Sequence, residues 1–192
     1  MEFSENYFKE EVLWGFKVTP TRKRYWAKIL EMLEEVDRIC KKHHLKYFAA
    51  GGTLLGAIRH KGFIPWDYDM DLNMMRDDYE MFCKIAQNEL RAPFFLQTSY
   101  TDNCPMFYAK IRNSETTAAT VHSLSLKYNN GIFLDIFPVD NMPDDESERE
   151  RIKKDIAELD RFLSIGVRKY WHIRNEKVGD EDNIEINENE NE

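Results

Sequence analysis

The residues best equipped for chemistry lie between positions 51 and 72, in GGTLLGAIRHKGFIPWDYDMDL. Three carboxylates, Asp67, Asp69 and Asp71, stand on every second residue beside apolar Ile64, Pro65 and Trp66. Charges so crowded repel one another, so a metal ion, a solvated turn or a calcium loop must offset the arrangement. On a strand, alternate side chains share a face, so Asp69 and Asp71 project together while Met70 turns into the core. Such a pair presents hard oxygen ligands to Mg²⁺ or Mn²⁺, and the ion in turn keeps both acids ionised. Upstream, Gly51-Gly52-Thr53 stands where a strand passes into a helix, and its backbone N–H groups can approach a phosphate closely. A calcium loop counted from Asp67 needs glycine where Leu72 stands and glutamate where Asp78 stands, so that reading fails. An Asp-rich turn without a ligand stays open, although Met70 and Leu72 between and beside the acids favour a strand.

The elements that position these residues follow from periodicity. Trp26, Ile29, Leu30, Leu33, Val36 and Ile39 recur at three- and four-residue spacing, predicting an amphipathic helix over 22–43, with Thr19-Pro20-Thr21 as a stop signal before it. LKYFAA (45–50) reads as a buried strand ended by Gly51-Gly52. Thr53 then caps a short helix through Ile58, Lys61-Gly62 breaks it, and MDLNMM (70–75) is a second strand. Asp77 or Asp78 caps the next helix, whose stripe is Tyr79, Phe82, Ile85, Ala86 and Leu90. Strands are expected at 93–98, 106–112, 116–121 and 131–137, the last ended by Pro138. Asp144 and Asp145 open a charged helix with Ile152, Ile156, Leu159, Phe162 and Leu163 along one side. The pattern is that of an α+β (mixed α/β) protein with an extension over 1–21, a domain over 22–172 and an acidic, disordered tail over 173–192.

Composition narrows the function classes. Of the net charge of −8, −6 belongs to Arg174–Glu192, where eight acids meet two bases, so residues 1–173 are almost neutral. Nothing there makes a broad basic face for nucleic acid. Cys40, Cys83 and Cys104 are widely spaced without a CxxC pair, which predicts neither a zinc site nor a disulfide framework and suits a reducing compartment. The first residues carry acids where a signal peptide needs a basic start, and no run approaches the roughly 20 apolar residues of a membrane span. A cytoplasmic location is expected, with peripheral membrane association left open. The five histidines show no ligand spacing.

The stretch from Gly51 to Leu72, followed in order by YAKIRNSET (108–116) and GIFLDIFPVDNMP (131–143), resembles the signature of the LicD family. The resemblance implies a nucleotidyltransferase-like central mixed sheet flanked by helices. It also implies transfer of phosphocholine or a similar phospho-alcohol from a CDP-activated donor to a glycan or surface-polymer acceptor, with Mg²⁺ or Mn²⁺. Within it, Asp69 and Asp71 fall on the metal-binding pair. Asp135 is the candidate third carboxylate, completing the metal site or taking the proton of the acceptor hydroxyl. Gly51, Gly52 and Thr53 would position phosphate, and Lys110 and Arg112, on one face of a strand, suit a diphosphate. Arg59 holds phosphate or pairs with Asp67. Trp66 stacks on a base or, as its apolar neighbours suggest, joins the core.

Two departures accompany the resemblance. Tyr68 stands where the family usually has a third consecutive acid, and on a strand it turns away from Asp69 and Asp71. Family members usually continue beyond the matched region, whereas this chain becomes a polar tail after Tyr170-Trp171. A nucleotide-sugar glycosyltransferase with an Asp-x-Asp site, and a degenerate nucleotide-binding protein without turnover, are the alternatives.

Overall fold

The computed structural model describes residues 2–102, 104, 106–119, 123, 127–174 and 185–187. They form two units, one of Met1–Val139 with Asn183–Glu192, the other of Asp140–Asp182.

The first unit opens with a single 3₁₀ turn and a hairpin of β1 (Glu11–Leu13) and β2 (Phe16–Val18). Trp14 and Gly15 form the two-residue turn with φ of 52° and 77°, the positive values that match the right-handed twist of a hairpin. Helix α1 (Pro20–His43) follows at once. Thr19 Oγ accepts the Arg22 N–H at 3.2 Å, and Pro20 occupies the first helical position, where its missing N–H is no loss. Thr19-Pro20 is therefore a start signal, not the stop signal expected from sequence.

Strand β3 (Phe48–Ala49) leads into α2 (Gly51–Leu55), which continues as a π-helical turn over Gly56–His60. The helix begins at Gly51, so Thr53 lies inside it and does not cap it. Strand β4 (Asp71–Met75) passes directly into α3 (Arg76–Glu89). Asp77 and Asp78 lie in the first turn of α3, where carboxylates suit the positive helix end, and Met75 holds the cap position. Strands β5 (Phe94–Gln97), β6 (Ala109–Asn113), β7 (Thr117–Ala119) and β8 (Phe133–Val139) complete the series expected from sequence. Within the tail expected to be disordered, β9 (Glu185–Asn187) pairs with β7; residues 175–184 and 188–192 lie outside the described ones.

The main sheet has the order β3-β4-β8-β6-β5, parallel between β4 and β8 and antiparallel elsewhere. One face is apolar: Leu72, Met74, Leu96, Ile111, Leu134 and Ile136 meet Ile29, Met32, Val36 and Ile39 of α1 and Phe82 and Ala86 of α3. Alternation sends Asp71, Asp135, Lys110 and Gln97 to the other face. This is the mixed α+β fold that the spacing of elements implies.

Pro138 does not end its strand; it pairs with Met74 inside β8. The Asp135 N–H points to β4, onto the Met70 carbonyl at 2.9 Å. Successive N–H groups alternate sides, so residue 138 would point its donor toward β6, whose pairing with β8 has already stopped at Ala109–Ile136. A proline there forfeits no ladder bond.

In the second unit, Asp145 starts α4 (Glu146–Arg174). Its Oδ1 accepts the Glu148 N–H at 2.8 Å, an N-terminal cap with Asp in its favoured place.

Candidate active site

The register of the main sheet brings together residues far apart in sequence. Asp71 pairs with Asp135 across β4 and β8, Asp135 with Lys110 across β6, and Lys110 with Gln97 across β5. Residues directly opposite on neighbouring strands share a face, about 4.8 Å from strand to strand. Two carboxylates, an ammonium and an amide thus form one transverse row.

Asp69 precedes β4, two residues before the Asp71 end of the row. Met70, Leu72 and Met74 are buried, so the expected alternation of apolar and acidic residues holds through this segment. Burial pushes the Asp69 carboxyl up to about 7, with the neighbouring charges and hydrogen bonding of Asp67, then the charge of Asp71, adding to it. Asp71 is raised by burial first, then by Asp135 and Asp67, with Lys110 acting in opposition. Neither Asp69 nor Asp71 makes an ion pair among the described residues.

The glycine turn closes against these acids. Gly51 has φ of 46°, a conformation that favours glycine, and a Cβ there would lie 3.1 Å from Asp71 Oδ2. A Cβ on Gly52 would lie 2.6 Å from Asp67 Oδ2. Thr53 Oγ accepts the Asp71 N–H at 2.8 Å, fixing the start of β4 against α2. The first N–H groups of a helix have no intrahelical acceptor, and here they belong to the residues that touch the acids.

Two residues of α1, to which the sequence assigned no role at the site, hold the loop before β4. Trp26 Nε1 donates to the Asp67 carbonyl at 2.9 Å, and Arg22 donates to the same oxygen at 3.2 Å. Trp26 is buried and stacked on Phe63, with 4.9 Å between centroids and 3° between planes. The Arg22 guanidinium lies over Phe16 and Tyr68, at 5.1 and 4.9 Å. No sequence signal joins Arg22 and Trp26 to Asp67, because their helix was legible only as an apolar stripe.

The expected cations have different situations. Lys110 and Arg112 do share a face, but both are buried rather than solvated. Lys110 Nζ lies 2.7 Å from Asp135 Oδ1, with the side chains 6% and 9% exposed. Burial pulls both groups toward their neutral forms, and their mutual contact opposes it. Arg112 donates to Gln97 Oε1 at 2.8 Å and to the Gly131 carbonyl at 2.7 Å, and lies over Phe133 at 4.7 Å. Its guanidinium braces β5 and the approach to β8. Arg59 is exposed, donates to His60 Nδ1 at 3.3 Å, and makes no pair with Asp67. Trp66 is 49% exposed, with its ring against His60 and Phe16, so it is not the core residue its neighbours suggest.

The donor set suits a hard divalent cation. It consists of carboxylate oxygens without an ion-pair partner among the described residues, beside glycines that leave them room. Among the described residues no three His, Cys, Asp or Glu side chains form a ready-made cage. Mg²⁺ takes one or two carboxylates and completes its shell with phosphate oxygens and water.

The LicD/FKTN/FKRP nucleotidyltransferase domain matches residues 44–161, which is most of the chain and includes the whole row. The chain belongs to this family. This LicD-family chain is 34% identical over 122 residues to lipopolysaccharide cholinephosphotransferase LicD of Haemophilus influenzae, covering 60% of the chain and 43% of that protein. It is 30% identical over 112 residues to an uncharacterised protein of Rickettsia prowazekii, 57% of the chain and 40% of that protein. A 34-residue stretch is 53% identical to the human ribitol 5-phosphate transferase FKRP, 18% of the chain and 7% of that protein. The LicD-family chain matches less than half the length of each of these relatives. No helix among its described residues is long and apolar enough to cross a membrane.

Proposed function

We propose that this protein transfers a phospho-alcohol, phosphocholine or a similar group, from a CDP-activated donor to a hydroxyl of a glycan or surface polymer. The observation that carries this reading is the meeting of the glycine turn with Asp67 and Asp71, on either side of Asp69, inside a LicD-family domain and next to a further carboxylate on the adjacent strand. The names of two relatives, a cholinephosphotransferase and a ribitol 5-phosphate transferase, point to the same reaction class.

Asp69 and Asp71 would hold a divalent ion, which when bound supplies positive charge to a diphosphate and to the leaving CMP. The N–H groups of Gly51 and Gly52 orient phosphate oxygens, and the Thr53–Asp71 bond keeps that turn in register with the acids. An acceptor oxygen forms a bond to the phosphorus bearing the alcohol as the bond from phosphorus to CMP oxygen breaks. Asp135, whose carboxyl is raised by burial with the Lys110 contact opposing the shift, receives the hydroxyl proton on the oxygen that Lys110 does not hold.

Calorimetry with CDP-choline, CDP-ribitol, CDP-glycerol and UDP-glucose, with and without Mg²⁺ or Mn²⁺, tests the reading. Metal-dependent binding of one CDP donor is expected, with loss in Asp69→Asn/Asp71→Asn. Binding of UDP-glucose alone would instead mark a glycosyltransferase, and a folded protein that binds none of them would refute the donor assignment.

A further inference from the structure

In-line phosphoryl transfer is often served by two divalent ions, one on each side of the reacting phosphate. Resting on the function proposed above, we infer that this site takes one ion, on Asp69 and Asp71, because Lys110 is the resident cation of Asp135.

Lys110 and Asp135 are register partners on β6 and β8, so the ammonium reaches the carboxylate without crossing the sheet. Their contact is 2.7 Å, and both side chains are more than nine-tenths buried. The ammonium has little freedom to leave. It lies 3.8 Å from the centre of the Phe133 ring and 5.1 Å from that of Tyr108, two faces that attract a desolvated cation. Arg112 is held elsewhere, with Nε on Gln97 and Nη1 on the Gly131 carbonyl.

The consequence for metal binding is electrostatic. An ion placed on Asp135 would stand against a buried ammonium in a region where water screens poorly. At the other end of the row, neither Asp71 nor Asp69 before it makes an ion pair among the described residues. The row therefore reads, from β4 to β6, as Asp71 with Asp69 just before it in the chain, then a neutralised acid and its ammonium. Lys110 supplies permanently the positive charge that a second ion would bring. It is a positioning residue, and it holds Asp135 rather than the donor's diphosphate.

Mn²⁺ titration followed by electron paramagnetic resonance counts the ions without any turnover. Wild type should bind one Mn²⁺ per chain. Asp71→Asn should weaken it at least 10-fold, while Asp135→Asn, which leaves Lys110 an oxygen acceptor, should change it less than 3-fold. Lys110→Met should admit a second ion, and Lys110→Met/Asp135→Asn should lose that ion again. Two ions on wild type, or equal loss in Asp71→Asn and Asp135→Asn, would overturn this inference and leave the proposed reaction standing. No Mn²⁺ on a folded wild type would overturn both. Should Lys110→Met fail to fold, the contrast between Asp71→Asn and Asp135→Asn decides the matter alone.

Discussion

Replacing Asp69 by Asn should stabilise the metal-free protein, and more so as pH rises. The folded carboxyl sits at about 7 because it is half buried and faces Asp67 and Asp71. Its unfolded counterpart titrates near 3.9. A folded value above the unfolded one means that stability is greatest below the unfolded pKa and is lost as pH rises through the folded one. Moving a carboxyl from 3.8 to about 7 corresponds to about 4 kcal/mol against the ionised form, which solvent around a half-exposed group screens to about 1–2 kcal/mol. Asparagine keeps the shape and a hydrogen bond for Asp67 but cannot ionise. Urea unfolding in EDTA should show the advantage of Asp69→Asn growing by about 1–2 kcal/mol between about pH 4 and pH 8, then levelling off. Adding Mn²⁺ should reverse the order, because only the wild type gains from the ion. An advantage equal at both pH values, or an Asn variant less stable at pH 8 in EDTA, would refute the reasoning.

Other perturbations separate the framework from the site. A Cβ on Gly56 would lie 2.6 Å from the Gly62 carbonyl oxygen, whereas one on Gly62 meets nothing within 4 Å. Gly56→Ala should therefore cost about 1–3 kcal/mol in thermal or urea unfolding and Gly62→Ala almost nothing. Thr53→Val should leave the Asp71 N–H without its acceptor and cost about 1–3 kcal/mol, while Thr53→Ser should restore most of it in the same assay. Trp26→Phe and Arg22→Met each leave the Asp67 carbonyl one donor, so a double-mutant cycle should show an extra loss of about 1–2 kcal/mol when both are absent.

The elements around the site were legible because their signals are local. The stripe of α1, the alternation through Met70–Met74 and the apolar runs of β5, β6 and β8 each depend on neighbours in sequence. Proline was misread twice, at Pro20 and Pro138, because its effect depends on which hydrogen bond is absent at that place. The hairpin escaped notice because its turn uses Trp14 before glycine in place of the usual Asn or Asp. For the site, Gly51, Gly52, Asp69 and Asp71 are close in sequence, so their spacing revealed the cluster. The fate of Lys110 was not legible: two cations on one strand face look alike, and the partner strand decides that one meets Asp135 and the other Gln97. Trp66 was drawn toward the core by Ile64 and Pro65, yet those two turn inward while the indole stays half outside.

The parallel pairing of β4 with β8 also governs when the site can exist during synthesis. A hairpin can bring antiparallel neighbours together early, but a parallel pair has to wait for a long crossover. Everything from α3 to β7 is made between Asp71 and Asp135, so at about 5–20 residues per second the acidic half leaves the ribosome several seconds before its partner strand. During that interval β4 has at most the two residues of β3 on one side, and its other edge is bare. Bare apolar edges invite pairing with other chains, and inward-pointing charges are a common guard against it. Asp71 at the start of β4, with Asp67 and Asp69 just before it, places such charges beside that edge. The crowding that helps raise Asp69 and Asp71 in the native site thus falls at the strand of the main sheet that waits longest for its partner.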